Sequence, residues 1–388
     1  MQNFSYFNPT RLIFGKDSEV RLPEEILKYS KRVLLHYGGG SIKRTGLYDK
    51  IMKLLSEANI EVIELGGVKP NPVLSMVEEG IRICKEQNVK FILAVGGGSV
   101  IDSAKAIAAG ALVEHNVWDF YQGKVVTDAL PVGVVLTIPA AGSEASPWSV
   151  LTKEDGMLKR SFGSGYIFPK FAIMNPVNTF SLPDYQTSCG LSDMLAHMFE
   201  RYFTNEKNVV FTDYLLMGAI KSVIELGPKL LKDTQDYDLR AEIMLAGTYA
   251  HNGSLGVGRI EDWSSHAIEH ELSGYNDVAH GAGLSIVFLA WMRYVNKDNI
   301  KKFTQLFTQI FSIDPSMSDE EIVLMGINKL EEWYKEIGLP TRLSEIDVPE
   351  KVIDSLAKKC VHDRPNPVIG GFKELYESDI INILKVAL

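Results

Sequence analysis

The sequence predicts an α/β domain with a parallel sheet over residues 1–182, followed by an all-helical domain over residues 183–388. Three observations predict it. Up to about Leu182, short β-type runs alternate with helical stretches, the pattern of a parallel sheet with helical crossovers. Beyond Leu182 the β-type runs largely vanish, and long amphipathic stretches follow, such as VVFTDYLLMGAIKSVIELGPKLL and EEIVLMGINKLEEWYKEIG. At 388 residues the chain is also long for a single core.

The elements follow in order. RVLLHY (32–37) reads as a buried strand, followed by a glycine loop and the helical GLYDKIMKLLSEAN. EVIELGG (61–67) is the next strand, closed by a turn at Pro70, Asn71 and Pro72. VLSMVEEGIRICKEQN is a helix, with apolar residues at mixed three and four spacing. FILAVGGGSVIDSAKAIAAGA then reads as strand, glycine loop and helix. PVGVVLTIPA (131–140) and the run from Phe171 to Met174 are further strands. SLPDYQTSCG (181–190) reads as a hinge, with Pro183 ending the earlier fold. The one internal echo is GGGS, at 38–41 and again at 96–99.

Composition excludes several classes. Hydrophobic content of 46% and charged content of 23% are ordinary for a soluble globular protein. A net charge of −9, with no dense Lys/Arg stripe, argues against nucleic acid as a partner. Cys84, Cys189 and Cys360 lie far apart without C-x-x-C spacing, which fits a reduced compartment and gives no disulfide framework. The N-terminus has no basic start followed by an apolar core, and no apolar run is long enough to span a bilayer. The expectation is a cytoplasmic protein without a membrane partner.

Gly96, Gly97, Gly98 and Ser99 sit where FILAV ends and a helix begins. Glycines let a backbone approach a phosphate closely, and the N–H groups of a helix N-terminus favour an anion. A tight strand-to-helix turn also takes glycine, but three in succession exceed what such a turn needs. Asp102 follows in the first helical turn; a diphosphate would repel it, so a functional Asp102 faces a ribose hydroxyl or an amide. The earlier loop, Gly38-Gly39-Gly40-Ser41, offers glycines, a hydroxyl and then Lys43 and Arg44, which suits a 2′-phosphate as well as it suits a solvated surface turn. Thr137 opens a stretch of small and hydroxyl residues that suits the lining of a nicotinamide. Lys159, the nearest cation downstream, reads locally as a solvated lysine.

A metal-binding pattern fills Asp193 to His280. Asp193 and His197 are four apart, as are His266 and His270, so each pair lies on one helical face. His280 is fourteen residues past His266, about 21 Å on an unbroken helix. Gly274, Asn276 and Asp277 lie between and turn the chain back. A buried, hydrogen-bonded histidine is the commoner role for any one of these residues. His197, His266, His270 and His280 are nevertheless four of the eight histidines of the chain. Three imidazoles and a carboxylate suit Fe²⁺ or Zn²⁺, and spacing alone does not say which three histidines bind.

FNPTRLIFGK, YGGGSIKRTG, PNP, ILAVGGGSVIDSAKAIAAG, the D-x-x-x-H pair and the H-x-x-x-H pair with the later His280 occur here in one order. In these motifs, nearly end to end, the chain resembles the iron-containing (group III) alcohol dehydrogenase family. It is most similar to the branch of butanol dehydrogenases and NADPH-dependent aldehyde reductases. The resemblance implies a dehydroquinate synthase-like architecture, with a dinucleotide-binding α/β domain, a helical metal-binding domain and catalysis in the cleft between. It implies Asp193, His197, His266 and His280 as metal ligands, and His270 as a residue near the substrate. It places the diphosphate on Gly97, Gly98 and Ser99 with Asp102 nearby, and Lys159 at the nicotinamide ribose. Gly38, Gly39, Ser41, Asn71 and Thr137 complete the expected cofactor-binding set. Many relatives read Thr-Gly-Ser-Glu where this chain has Ala141-Gly142-Ser143-Glu144, so one hydroxyl of that set is lost.

The expectation is a metal-dependent alcohol dehydrogenase acting on a small alcohol or aldehyde, a homodimer like many in the family. NADP(H) is expected in preference to NAD(H), because NAD-preferring relatives carry a carboxylate close to where Gly39 stands. The rival is a metal- and NAD-dependent cyclising lyase of the dehydroquinate synthase type. Its phosphorylated substrate needs several Lys and Arg, whereas Met194, Met198, Phe199, Trp263 and Leu272 surround the metal motif.

Overall fold

The computed structural model describes residues 1–362 and 367–388. By contacts the chain divides into two compact units, and neither is a single stretch of sequence. One holds Phe7–Leu182 with Gln235–Thr248; the other holds Met1–Tyr6, Pro183–Thr234 and Tyr249–Leu388.

The first unit contains, in order, β1 (Arg11–Phe14), α1 (Leu22–Leu27), β2 (Arg32–Gly38), α2 (Ser41–Arg44), α3 (Leu47–Glu57), β3 (Glu61–Val68) and α4 (Leu74–Glu86). It continues with β4 (Ile92–Gly96), α5 (Gly98–Gly110), α6 (Trp118–Tyr121), β5 (Val132–Leu136), β6 (Trp148–Lys153), β7 (Leu158–Gly163) and β8 (Phe171–Met174). Six strands form one sheet in the order β1-β8-β5-β4-β2-β3, every neighbouring pair parallel. Alternate side chains feed two cores, as the two-residue period of a strand requires. Val33, Leu35, Leu93 and Val95 pack with Leu22, Ile51 and Leu55 on one face. Leu34, Ile92, Ala94 and Val134 pack with Val77, Ala104 and Ile107 on the other. Burying each such aliphatic side chain contributes about 1.5–3 kcal/mol.

The strand order reverses at β2 and β4. β2 pairs with β3 on one side and β4 on the other, with Tyr37 level with Val95. The loops leaving these two strands are the two GGGS sequences, so the echo becomes a pair of neighbouring loops. In open parallel sheets, ligands bind at such a reversal, outside the carboxyl ends of the strands.

The rest of the chain is helical: α7 (Asp184–Tyr202), α8 (Val210–Lys232), α9 (Tyr237–His251), α10 (Ser264–Asn276), α11 (His280–Val295), α12 (Ile300–Phe311), α13 (Asp319–Glu336), α14 (Ile353–His362) and α15 (Glu377–Val386). Most of α9 belongs by contacts to the first unit; only Tyr249–His251 falls in the second. Lys16 lies over the ring of Tyr237, and Thr248 Oγ1 donates to Glu144 Oε1, which ties this helix to the α/β unit. α7 is buried from Thr187 to Tyr202 on every face, as a central helix must be.

Two local expectations are corrected, and one element is added. The hinge at 181–190 ends at Pro183, because Asp184 to Gly190 already belong to α7; Pro at a helix start and an acid in the first turn were its signals. The strand expected over 131–140 stops at Leu136. The antiparallel hairpin β6–β7 was not foreseen, although Asp155-Gly156 marks its turn.

Candidate active site

In the helical unit the metal motif gathers on three helices. α7 carries Asp193, His197 and Glu200; α10 carries His266, Glu269 and His270; α11 opens on His280. α10 ends where Asp277 takes a left-handed conformation (φ 57°), so the chain turns back as its Asn-Asp sequence predicts. A Cβ on Gly281 would lie 2.0 Å from the Cys189 carbonyl oxygen. Glycine there lets the first turn of α11 lie on the α7 backbone, which brings His280 beside Asp193.

His266 Nε2 and His280 Nε2 lie 3.9 and 3.8 Å from the same Asp193 Oδ1. Those separations are too long for hydrogen bonds. They are close to the ~3.4 Å expected between two ligands each about 2.1 Å from one tetrahedral ion. The other nitrogen of each ring is held by a buried carboxylate. His266 Nδ1 lies 2.8 Å from Glu200 Oε1, which also accepts the His266 backbone N–H at 3.0 Å. His280 Nδ1 makes a short contact with Glu269 Oε2. A ligating histidine ordinarily has its second nitrogen anchored in this way.

His266 Nε2 is buried and has no hydrogen-bond partner. Burial and the neighbouring imidazoles of His197, His280, His270 and His251 hold His266 well below the usual histidine pKa, so it stays neutral and keeps an electron pair to donate. Burial and Asp262 push the Glu200 carboxyl well up, while the N–H groups of His266 and Trp263 and the Arg201 guanidinium pull it back. Two imidazoles and one carboxylate oxygen fit a divalent first-row ion.

Asp193, His266 and His280 therefore converge, and Glu269, His270 and His280 form a second close set sharing His280. His197 does not join either set. Its Nδ1 donates to the Asp193 carbonyl at 2.8 Å and lies 2.9 Å from Asp193 Oδ1. Its ring packs 4.5 Å from His266 and 4.3 Å from His251. Arg201 donates to the His197 carbonyl and to His251 Nδ1 at 2.8 Å each, and stacks on Trp263. Trp263 holds a left-handed φ of 65°, its backbone N–H donating to Glu200 Oε2. The apolar residues named beside the motif belong elsewhere: Met194, Met198, Phe199 and Leu272 have no exposure and form core.

In the α/β unit, Gly97 caps α5 and Gly98 is its first residue. A Cβ on Gly97 would lie 2.8 Å from Ile138 Cβ, so that glycine serves packing; one on Gly98 would meet only Ala141, at 3.9 Å. The open side of Gly98, at the helix N-terminus, suits an anion. Asp102 is committed within the protein. Its Oδ1 accepts from Ser143 Oγ and its Oδ2 accepts from the Val150 N–H at 3.0 Å. Thr137 follows β5, its N–H bonded to Gly96. Lys159, read from local sequence as solvated, is buried on β7 and donates to Asn71 Oδ1 at 2.9 Å. Two expected cofactor residues, 88 positions apart, are thus hydrogen-bonded.

At the other loop, Gly39 has open space where a side chain would go, and Gly40 needs glycine for its φ of 102°. Ser41 opens α2. Lys43 lies over the rings of Tyr37 and Tyr48 and 3.8 Å from Glu64, so part of its charge is matched within the protein. Arg44 lies against Gly40. Sequence reasoning missed Glu200, Glu269, Arg201, His251 and Lys105. All are buried polar groups, and polarity alone gives no sign of burial.

A side-chain cluster fit for a divalent ion and a glycine loop fit for a phosphate are the chemical features the two units offer. Residues 9–176 match the model of the iron-containing alcohol dehydrogenase family, and residues 187–388 match its C-terminal counterpart. The chain belongs to the iron-containing alcohol dehydrogenase family. It is 46% identical over 390 residues to the probable NADH-dependent butanol dehydrogenase 1 of Bacillus subtilis, covering 100% of both chains. It is 37% identical to the NADPH-dependent aldehyde reductase YqhD of Escherichia coli, covering 92% of this chain and 93% of that one. The crystal structure of NADH-dependent butanol dehydrogenase A from Thermotoga maritima superposes with a TM-score of 0.96 at 39% identity, covering 100% and 99%.

Proposed function

We propose that this chain is a metal-dependent, NADP(H)-linked alcohol dehydrogenase working on small primary alcohols and aldehydes of the butanol and butyraldehyde kind. The observation that carries it is the pair of imidazoles whose Nε2 atoms face one oxygen of Asp193 while buried glutamates hold their Nδ1 atoms. Asp193, His266 and His280 hold the ion, and His197 supplies the fourth donor through its Nε2. The family's description favours Fe²⁺ over Zn²⁺. When bound, the metal supplies a Lewis acid for the substrate oxygen and the nicotinamide supplies or takes the hydride.

The rest falls to the chain. Glu200 and Glu269 fix the ring orientation of His266 and His280. His270, one helical turn beyond His266 and with its ring 5.7 Å from that of His280, moves a proton to or from the substrate oxygen at one of its ring nitrogens. Gly98 and Ser99 bind the diphosphate with backbone N–H groups, and Lys159, oriented by Asn71, binds the nicotinamide ribose. The dehydroquinate-forming alternative needs several cations at the metal; Arg201, the buried cation beside it, is already engaged by His197 and His251. The proposal includes a cytoplasmic homodimer, tested by light scattering. Among the described residues no helix is long and apolar enough to cross a membrane.

For the coenzyme, no carboxylate stands in the loop from Gly38 to Ser41, and the loop N–H groups, the Ser41 hydroxyl and Arg44 suit a 2′-phosphate. The names of relatives divide: that at 46% identity is NADH-dependent, that at 37% NADPH-dependent. The test is metal analysis of the purified protein with a panel of short aldehydes, comparing kcat/KM for NADPH and NADH in wild type and in Gly39→Asp. A charge-assisted bond to the phosphate contributes about 1.5–3 kcal/mol, a factor of ten or more. The substitution depresses NADPH use far more than NADH use. Equal wild-type efficiencies, or an unchanged preference in the variant, reject this reading of the loop.

A further inference from the structure

Lys105 has no exposure, an unusual place for an ammonium. It sits in α5, seven residues after Gly98. Its Nζ donates to Ser143 Oγ and to the Trp148 carbonyl at 2.8 Å each, with Ser146 Oγ at 3.4 Å. Ser143 Oγ in turn donates a hydrogen bond to Asp102 Oδ1, and Asp102 Oδ2 accepts from the Val150 N–H. The knot therefore fastens α5 to the whole run from Ser143 to Val150. That run follows directly on Thr137–Gly142, and Ala141 is the residue nearest the open side of Gly98.

A purely mechanical tie could be built from neutral groups, without the desolvation that a buried charge incurs. The charged groups facing Lys105 are few. Asp102 Oδ1 lies 3.9 Å from Nζ, and Glu144 is the other. Burial pushes the Glu144 carboxyl up, and it accepts a hydrogen bond from Thr248. The Lys105 Cα lies about 9–10.5 Å along the helix axis from Ser99 and Gly98, and its side chain reaches back toward that end, with Nζ 3.9 Å from Asp102 Oδ1. In a poorly solvated interior the ammonium acts from there on an anion at the helix end.

We propose that Lys105 is a coenzyme-positioning residue, whose buried ammonium clamps the 141–148 segment against the start of α5 and adds positive charge beneath the coenzyme diphosphate. This rests on the dinucleotide site proposed above. Burial lowers Lys105 to about 8, partly offset by Asp102 and Glu144. Binding an anion above it favours the protonated form, so coenzyme affinity is full below about pH 8 and falls as pH rises through that value.

The test is the Kd of NADPH, read by nicotinamide fluorescence on the metal-loaded protein from pH 6.5 to 9.5. The wild type holds a constant Kd up to about pH 8 and then weakens, by at most tenfold per unit. Lys105→Arg keeps its charge and removes the bend; Lys105→Met binds about tenfold more weakly at pH 7 and is flat, with metal content unchanged. A wild-type Kd flat to pH 9.5 overturns the proposal, as does Lys105→Arg retaining the bend. If Lys105→Met does not fold, the wild-type and arginine profiles still decide. A wild type that binds neither NADPH nor NADH at any pH rejects the dinucleotide site itself.

Discussion

Glu200 reaches His266 twice, through the backbone N–H and through Nδ1, and its second oxygen takes the Trp263 N–H. An amide in its place has one acceptor oxygen and turns an NH₂ toward one of those donors. Glu200→Gln is therefore expected to lower metal affinity 10- to 100-fold, as loss of such an anchor typically does, while the Kd for NADPH stays unchanged. Chelator competition measures the first and fluorescence titration the second. His280→Ala removes a donor outright and is expected to abolish both metal retention and turnover, again with coenzyme bound. His270→Ala separates ligand from proton carrier: metal content holds and kcat falls. If His270→Ala loses metal while His266→Ala keeps it, the second cluster of Glu269, His270 and His280 is the one that binds; if both lose it, the assignment of the four ligands is wrong. The D-x-x-x-H and H-x-x-x-H spacings made the ligand candidates legible, since helical period alone puts each pair on one face. The glutamates were not legible, because nothing near Glu200 or Glu269 in sequence distinguishes a buried acid from a solvated one.

At the scale of elements, the site depends on how closely helices approach. Gly281 turns its bare face to the α7 backbone, and Ser192 Oγ donates to its carbonyl at 2.7 Å. Two positions on, Gly283 turns toward α10, where an added Cβ would lie 2.8 Å from Glu269 Cγ. The first turn of α11 is thus wedged between the helices that carry the other ligands. Gly281→Ala cannot be absorbed by a side-chain rotation, because the obstructing atom is a backbone carbonyl. It is expected to destabilise the protein by about 1–3 kcal/mol and to lower metal occupancy by shifting His280 away from Asp193. Thermal unfolding and metal analysis check both parts. A variant with wild-type Tm and full metal would mean that the approach is looser than the structure has it. Sequence periodicity predicted these helices and the turn between α10 and α11, since Asn276 and Asp277 favour a left-handed residue. It placed a hinge over 181–190 because polar and proline residues dominate there; the same residues start α7, and only the packing of Thr187 to Tyr202 decides between the two.

At the scale of the whole molecule, the change from alternating strands to continuous helices near Leu182 could be read directly, because the hydrophobic period changes there. The membership of α9 could not, since an amphipathic stretch does not say which core it covers. Thr248 decides the matter chemically. It donates to Glu144, a carboxyl whose residue is 2% exposed, on the segment that Lys105 ties to α5. Thr248→Val keeps the volume and removes the hydroxyl, leaving a buried carboxyl short of a donor at a cost of about 1–3 kcal/mol. Although it lies in the helical half of the sequence, its effects are expected in the α/β unit. Tm falls by a few degrees at the 2–4 °C per kcal/mol typical of units this size, the Kd for NADPH rises, and metal content after dialysis is unchanged. Saturating NADPH should recover the loss in Tm, since at a hundred times its Kd a ligand adds about 2.7 kcal/mol to the state it binds. Loss of metal with coenzyme affinity intact would assign α9 to the helical unit instead.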